Sequence, residues 1–324
     1  MTSRLTLALE NGAVELPAGR IAAFRPPVSE LWLPEGAVAI TGFYPEAEIW
    51  RGRGFEVALA PEGDFAGALV FVPRAKALAR DMLARAMALG GPVVVDGVKT
   101  DGVDSLWKAA RKQGEVSSAF AKAHGKTFMV TGGDFSDWVL PKVSEAEGGW
   151  KTAPGVFSAD GPDAGSELLA AALPAKLKGR VADFGAGWGY LSAAVLKREG
   201  VAALELIEAE HAALEAAKRN LNDPRVSFTW GDATRPLKEP VDHVVMNPPF
   251  HPSRAADPAL GASFITGAAA SLTPAGTLWM VANRHLPYEG ALREVFREVQ
   301  EIGGDTRFKL FRAAKPLAKG KSKG

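Results

Sequence analysis

The residues best suited to do chemistry in this chain close a single strand: Val244-Val245-Met246 runs into Asn247-Pro248-Pro249-Phe250. Two consecutive prolines cannot donate to a sheet ladder, so the strand must stop there in a rigid turn. The side-chain amide of Asn247 and the carbonyl of Pro248 supply two acceptors at a strand's carboxyl edge, and Phe250 offers a flat apolar face beside them. An amino group on a planar ring suits such a corner. Its two N–H bonds point at the acceptors, the ring stacks on Phe250, and the nitrogen lone pair is left facing an electrophile. Taken alone, the four residues read equally well as a capped strand end, so the rest of the chain must say what the electrophile is.

Arg180-Val181-Ala182-Asp183-Phe184 predicts a strand, and Gly185-Ala186-Gly187-Trp188-Gly189 follows at once, opening an amphipathic helix through Leu196. A strand, a glycine turn and a helix amino terminus gather backbone N–H groups at one point, where a polar ligand can approach because no side chains intervene. The spacing differs from the dinucleotide pattern Gly-x-Gly-x-x-Gly. Asp183 at the mouth would repel a pyrophosphate and attract the ammonium of an amino acid. The next strand, Ala203 to Ile207, ends on Glu208, an acid placed to accept both ribose hydroxyls, with Glu210 close enough to compete for the role. After a helix over 210–221 and the strand Val226-Ser227-Phe228-Thr229 comes Gly231-Asp232-Ala233, whose acid suits an adenine amino group. Three strand-end acids in consecutive units beside a glycine turn describe a pocket for S-adenosyl-L-methionine.

With these residues in view, the chain resembles the class I S-adenosylmethionine-dependent methyltransferases, and more narrowly the bacterial ribosomal RNA small subunit methyltransferase C family. Gly155-Val-Phe-Ser158, Asp163-Ala-Gly-Ser-Glu-Leu-Leu169, Asn247-Pro-Pro-Phe-His251, Val281-Ala-Asn283 with Leu286-Pro-Tyr288, and Arg307-Phe-Lys-Leu-Phe-Arg312 carry the narrower match. The resemblance implies methylation of a guanine N2 amine in 16S rRNA. It implies Asn247, Pro248, Pro249 and Phe250 as the catalytic corner, and Phe157, Phe250 and His251 as residues against the substrate. Asp183, Gly185, Ala186, Gly187, Gly189, Glu208, Asp232, Ala233 and Asn247 would meet the cofactor. The family's acid at the position of Glu208 is more often Asp, and a smaller residue often stands at Trp188. The same Asn-Pro-Pro-aromatic corner serves adenine N6 and protein glutamine amides in related families, and a noncatalytic assembly factor binding cofactor and RNA is the alternative outside enzymes.

The elements around these residues alternate strand and helix, which predicts an α/β architecture, and the resemblance implies two tandem Rossmann-like, class I methyltransferase-like domains. Residues 1–140 form the first, with apolar runs at Ala37-Val38-Ala39-Ile40, Phe55 to Leu59, Ala68 to Val72 and Val93-Val94-Val95, a helix from Ala75 to Leu89 and another near Asp101 to Lys112. No strand found there leads into a glycine turn or ends on Asn-Pro-Pro, so it reads as a degenerate copy with a structural or RNA-binding role. The order of helix, stop, strand and loop in 75–96 recurs in 260–283, as a duplication would leave it. Pro141 to Pro154 reads as a linker, 155–314 as the catalytic domain, and 315–324 as a basic tail whose Lys319, Lys321 and Lys323 suit RNA phosphates. In the catalytic domain, Thr277 to Ala282 predicts a core strand, Gly290 to Val299 a helix, and Arg307 to Ala313 a last strand, antiparallel by the resemblance.

Composition narrows the classes. With 324 residues and 47% hydrophobic side chains the chain is ordinary for a globular protein. It has no cysteine, which removes thiolate nucleophiles, disulfides and cysteine-held zinc, and its five histidines are scattered without metal-ligand spacing. No charged-then-apolar leader and no apolar run near ~18 residues is present, so a cytoplasmic protein without membrane contact or metal is expected. A net charge of +1 requires any RNA to be held by a local basic patch.

Overall fold

The computed structural model describes residues 3–30, 32–249 and 258–317. They divide into two compact units, Met1–Lys142 and Val143–Gly324. Both are α/β.

In the first unit the strands are Ile21–Phe24 (β1), Val38–Ile40 (β2), Glu56–Ala58 (β3), Gly67–Phe71 (β4), Val93–Val98 (β5), Gly114–Val116 (β6), Phe120–Lys122 (β7) and Gly125–Gly133 (β8). They lie in the order β3-β2-β1-β4-β5-β8-β6, with β7 also paired to β8. The first five are mutually parallel, and β8 runs antiparallel to β5. Helices Arg4–Glu10 (α1), Tyr44–Gly52 (α2), Lys76–Met87 (α3) and Val103–Ala110 (α4) accompany them. The strand on which the sheet is centred, β1, is one that the apolar runs do not announce, because Ile-Ala-Ala-Phe is short and rich in alanine. Its four residues are all buried between β2 and β4.

The second unit begins with a short hairpin, Ser144–Glu145 (β9) and Lys151–Thr152 (β10). The stretch 141–154, expected as a linker, therefore belongs largely to the second unit. Asn220 holds the hairpin: Lys151 N–H donates to its Oδ1 and its Nδ2 donates to Lys151 O, both at 2.8 Å. The sheet proper comprises Lys176–Phe184 (β11), Glu199–Glu208 (β12), Val226–Trp230 (β13), Val241–Met246 (β14), Leu272–Asn283 (β15), Phe296–Gly304 (β16) and Phe308–Pro316 (β17). Their order, β13-β12-β11-β14-β15-β17-β16, repeats that of the first unit. β11 to β15 are parallel, whereas β17 is antiparallel to both β15 and β16. The helices are Ala164–Ala172 (α5), Tyr190–Leu196 (α6), His211–Asn220 (α7), Pro258–Ser271 (α8) and Tyr288–Val295 (α9). The helix expected over 290–299 ends at Val295, and the residues after it extend as β16. Pairing with β17 satisfies their backbone groups there, which a mostly exposed continuation of the helix would not outweigh.

Strand alternation sorts the second sheet into two cores. Ala182, Phe184, Val244, Met246, Leu278 and Met280 face a core that includes Phe264, Ile265 and Leu292 of α8 and α9. Val181, Val245, Trp279 and Val281 face the other, with Leu169, Leu191 and Ala217 of α5, α6 and α7. By the two-residue period, Asp183 and Asn247 lie on the α5 and α6 side.

Candidate functional site

β11 ends beside β14, with Phe184 paired to Met246, and also beside β12, with Phe184 paired to Ile207. The chain therefore reverses its direction of winding at β11, and a crevice opens at the carboxyl ends of the strands on either side. Gly185, Gly187 and Gly189 turn the chain there, all with positive φ. Gly185 and Ala186 N–H groups both donate to Ile207 O, at 2.9 and 3.2 Å. Two of the glycines are required for different reasons. A Cβ on Gly189 would fall 2.9 Å from Leu221 Cδ1, so its role is close packing, whereas Gly187, at φ +57, faces open space in which a ligand can lie.

Asp183 is wholly buried beneath this turn. Its Oδ2 accepts from Ser192 Oγ at 2.7 Å, and its Oδ1 has no hydrogen-bond partner among the described residues. Burial, together with the nearby charge of Glu208 and against the bond from Ser192, pushes its pKa up to about 7. A buried acceptor without a donor costs about 1–3 kcal/mol unless a ligand supplies one. Glu208 turns back onto the glycine loop. Its Oε2 accepts from Gly187 N–H and its Oε1 from Glu210 N–H, both at 2.7 Å. Burial, with the nearby charge of Glu210, raises its pKa as well, and the backbone N–H groups of Glu210, Gly187 and Ala209 oppose the rise. Of the two neighbouring glutamates, it is the Glu208 carboxylate that meets the turn, while Glu210 precedes α7 as its N-cap residue. Asp232 Oδ1 accepts from the Thr234 N–H at 2.9 Å and from its hydroxyl at 2.6 Å, and Arg235 Nε lies 3.5 Å from Oδ2. Ala233 is buried, its carbonyl passing so close to Gly267 of α8 that a Cβ there would come within 2.8 Å of it.

Asn247 is oriented by partners that sequence reasoning did not foresee. Its Nδ2 donates to Asp163 Oδ2 and to Ser166 Oγ, both at 2.9 Å. A carboxylate can only accept, so the amide nitrogen must face Asp163 and the oxygen must face away from it. Asp163 is itself the N-cap of α5, accepting from Ser166 N–H at 3.0 Å. The N-cap was legible in Asp163-Ala-Gly-Ser166, but nothing in the local sequence points from it to Asn247. Pro248 is buried and Pro249 exposed. Phe250 and His251 lie outside the described residues, as do Lys319, Lys321 and Lys323 of the tail.

Phe157, 57% exposed, lines a cleft together with Asp163, Ser166, Gly187 and Asn247. The loop carrying it is tied to the glycine turn through Trp188. That indole is buried against Trp150, Val156 and Ala213, and its Nε1 donates to Ser158 O at 3.2 Å. Ser158, at φ +54, keeps its conformation by donating its hydroxyl to Gly161 O at 2.7 Å. Asn220 of α7 ties the same turn to the β9–β10 hairpin, its Nδ2 donating to Trp188 O as well as to Lys151 O, both at 2.8 Å. The large residue at 188 thus fits by burying its ring in the protein.

The first unit shows what the same topology does without these residues. After β1 comes Arg25-Pro26-Pro27, where Arg25, at φ +48, donates its N–H to Ile40 O at 2.8 Å as Gly185 does to Ile207 O. The two prolines have no N–H to present, and Pro26 O is taken by Trp50 Nε1 at 2.8 Å.

Residues 147–312 match the family model described as methyltransferase small domain. The ribosomal RNA small subunit methyltransferase C of Alteromonas mediterranea is 29% identical over 288 residues, covering 81% of this chain and 80% of its own. The protein of the same name from Shewanella sp. strain MR-4 is 30% identical over 258 residues, covering 75% of each chain. Among solved structures, a T. thermophilus 16S rRNA N2 guanine methyltransferase in complex with AdoMet and guanosine matches with a TM-score of 0.76 at 21% identity. The match covers 94% of this chain and 90% of that one, a likeness of fold across both units.

Proposed function

Because the chain belongs to the ribosomal RNA small subunit methyltransferase C family and carries that family's methyltransferase small domain, we propose that it methylates the exocyclic N2 amine of a guanine in 16S rRNA, in the cytoplasm, using S-adenosyl-L-methionine. The observation that carries this reading is the pinned amide of Asn247. With its nitrogen committed to Asp163 and Ser166, its oxygen is an acceptor of fixed direction at the sheet's carboxyl edge.

The residues of the crevice fit the cofactor. The unpartnered Oδ1 of Asp183 suits its ammonium, the carboxylate of Glu208 at the glycine turn suits its ribose hydroxyls, and the open side of Gly187 leaves room for its backbone-hugging part. Asp232 lies at the next strand end, where an adenine amine would come. When bound, S-adenosylmethionine supplies an electrophilic methyl group on a sulfonium.

The chain's own residues then have to hold the acceptor in line, an effect worth up to ~7–11 kcal/mol. The lone pair of a guanine N2 is delocalised into the ring. Acceptance of its two N–H bonds by Asn247 Oδ1 and the Pro248 carbonyl localises that pair and stabilises the positive charge that develops on nitrogen. Asp163 and Ser166 act through Asn247 by fixing which end of its amide faces the amine. Phe157 offers a flat apolar surface at the mouth for a base taken out of its stack, since a paired base edge cannot reach a crevice of this kind.

Nucleoside mass spectrometry of 16S rRNA from cells with and without the gene tests the reading. N2-methylguanosine should fall by one residue per 16S rRNA on deletion and return on complementation with the wild-type chain but not with Asn247→Ala. Unchanged N2-methylguanosine with a lost N6-methyladenosine signal would replace guanine by adenine, and unchanged rRNA nucleosides with methylglutamine lost from peptide mass spectra of the same cells would replace it by a protein amide.

A further inference from the structure

Two stretches singled out in the sequence, Val281 to Tyr288 and Arg307 to Arg312, have no part in holding cofactor or acceptor as described above. They meet at the carboxyl edge of the second sheet. β17 begins where β15 ends, with Phe308 paired to Asn283, and Asn283, Arg284, His285, Thr306, Arg307 and Phe308 line an open cleft there. Only β15 separates β17 from β14, so at ~4.8 Å per strand this cleft lies about 10 Å from the strand that ends in Asn247. Contacts connect the two places. Asn247 donates to Asp163; Gly165, two residues on, packs so closely under Phe308 that a Cβ would come within 3.0 Å of the ring; and the Arg307 guanidinium carbon stands 5.3 Å from the centre of that ring.

The cations around the cleft differ in how they are committed. Arg284 pairs with Glu301 at 3.2 Å and also donates to Asp305 O and Phe308 O. Lys309 is buried and paired with Glu289. Arg307 is exposed, and its guanidinium makes no ion pair or hydrogen bond among the described residues, though, with the backbone N–H groups that the Asp305 carboxylate accepts from, its charge helps hold that carboxylate below its ordinary pKa. Its backbone is nonetheless held firmly: Arg307 O accepts from Arg284 N–H at 2.7 Å, and Asp305 Oδ1 accepts from the N–H groups of Arg307 and Phe308, each at 2.7 Å. A rigid loop presenting an exposed guanidinium without an ion pair beside an acceptor corner suits an anion that offers two oxygens side by side, as a phosphodiester does.

We propose that this cleft binds a phosphodiester of the RNA strand flanking the methylated guanine, with the Arg307 guanidinium donating to its two non-bridging oxygens above the Phe308 ring and His285 lining the same cleft. This rests on the 16S rRNA reading, and adds to it the surface that sets the path of the strand past the crevice.

Methylation of 16S rRNA by the full chain and by its Arg307→Ala and Arg307→Lys variants, with RNA binding measured by anisotropy across a salt series, tests it. Arg307→Ala should raise KM for the rRNA about tenfold, the loss of one charge-assisted pair. It should also flatten the plot of log binding constant against log salt by about 0.7, one phosphate on a single strand. Arg307→Lys should keep the salt slope and recover part of the affinity, and the cofactor Kd and unfolding midpoint should not move in either variant. A wild-type KM and salt slope in Arg307→Ala, with wild-type chain active on 16S rRNA, overturns the phosphate site alone. A weakened cofactor Kd assigns Arg307 to the cofactor's carboxylate and overturns it too. A wild-type chain inactive on 16S rRNA overturns both readings.

Discussion

Replacing Asp183 with Asn should stabilise the free protein at neutral pH and weaken its hold on S-adenosylmethionine, because both effects come from one buried charge. The carboxyl is fully enclosed, and burial pushes its pKa from 3.8 to about 7. A shift of that size costs the folded state on the order of 4 kcal/mol once the group is ionised. Below the unfolded value both states are protonated and the cost is absent. As pH rises, the unfolded chain ionises first and the folded state loses ground, until the loss becomes constant above about pH 7. The amide introduced by Asp183→Asn would keep an acceptor for Ser192 and place an N–H group where Oδ1 has no partner, exchanging one unpartnered polar atom for another. The variant should therefore lie close to wild type in stability at about pH 4 and be more stable, by about 4 kcal/mol, at about pH 8. Urea unfolding of both proteins across that range reads the divergence directly. Calorimetry at the upper end should show the cofactor bound about 10–100-fold more weakly, the loss of a charge-assisted bond to its ammonium. A stability difference that does not change with pH would refute the buried-charge argument, and an unchanged cofactor affinity would remove Asp183 from the pocket.

Asn247→Ala should cut turnover by about 100–1000-fold, as loss of a positioned polar group does elsewhere, while cofactor affinity measured by calorimetry stays close to wild type; equal losses in both would contradict an acceptor-side role. Asp163→Ala removes the N-cap of α5, about 1 kcal/mol of stability, and frees the Asn247 amide to rotate. Its turnover should drop about tenfold at temperatures where melting curves show the variant folded, and full activity there would mean that Asn247 needs no such anchor. Trp188→Ala should cost about 3–5 kcal/mol of stability through lost packing, read as a lowered urea midpoint, with limited proteolysis shifting to the loop of residues 153–161; a midpoint within error of wild type would show that the indole does not tie that loop down.

Where an element's identity depends on its own residues, the sequence was enough. The glycine turn after Phe184, the acids at successive strand ends and the Asn-Pro-Pro stop are local chemistry: prolines forbid a ladder bond and glycines permit positive φ wherever they stand. Their placement at one edge of the sheet also follows from strand and helix alternating, since parallel strands bring their carboxyl ends to the same edge. The expected antiparallel last strand came from the resemblance, and β17 runs so.

What the sequence could not decide were matters of partnership at long range. β1, four residues with two alanines, is a strand because β2 and β4 bury it from both sides, and residues 296–304 leave the helix because β17 offers them a ladder. Residues 144–152 join the second unit because an asparagine about 70 positions later closes on them. The decisive case is Asn247. Its type and its turn were plain in the chain, but the direction of its amide is set by Asp163 and Ser166, 84 and 81 residues away. An amide has two ends that local sequence cannot tell apart, and only a carboxylate brought against one of them by the fold makes the other an acceptor.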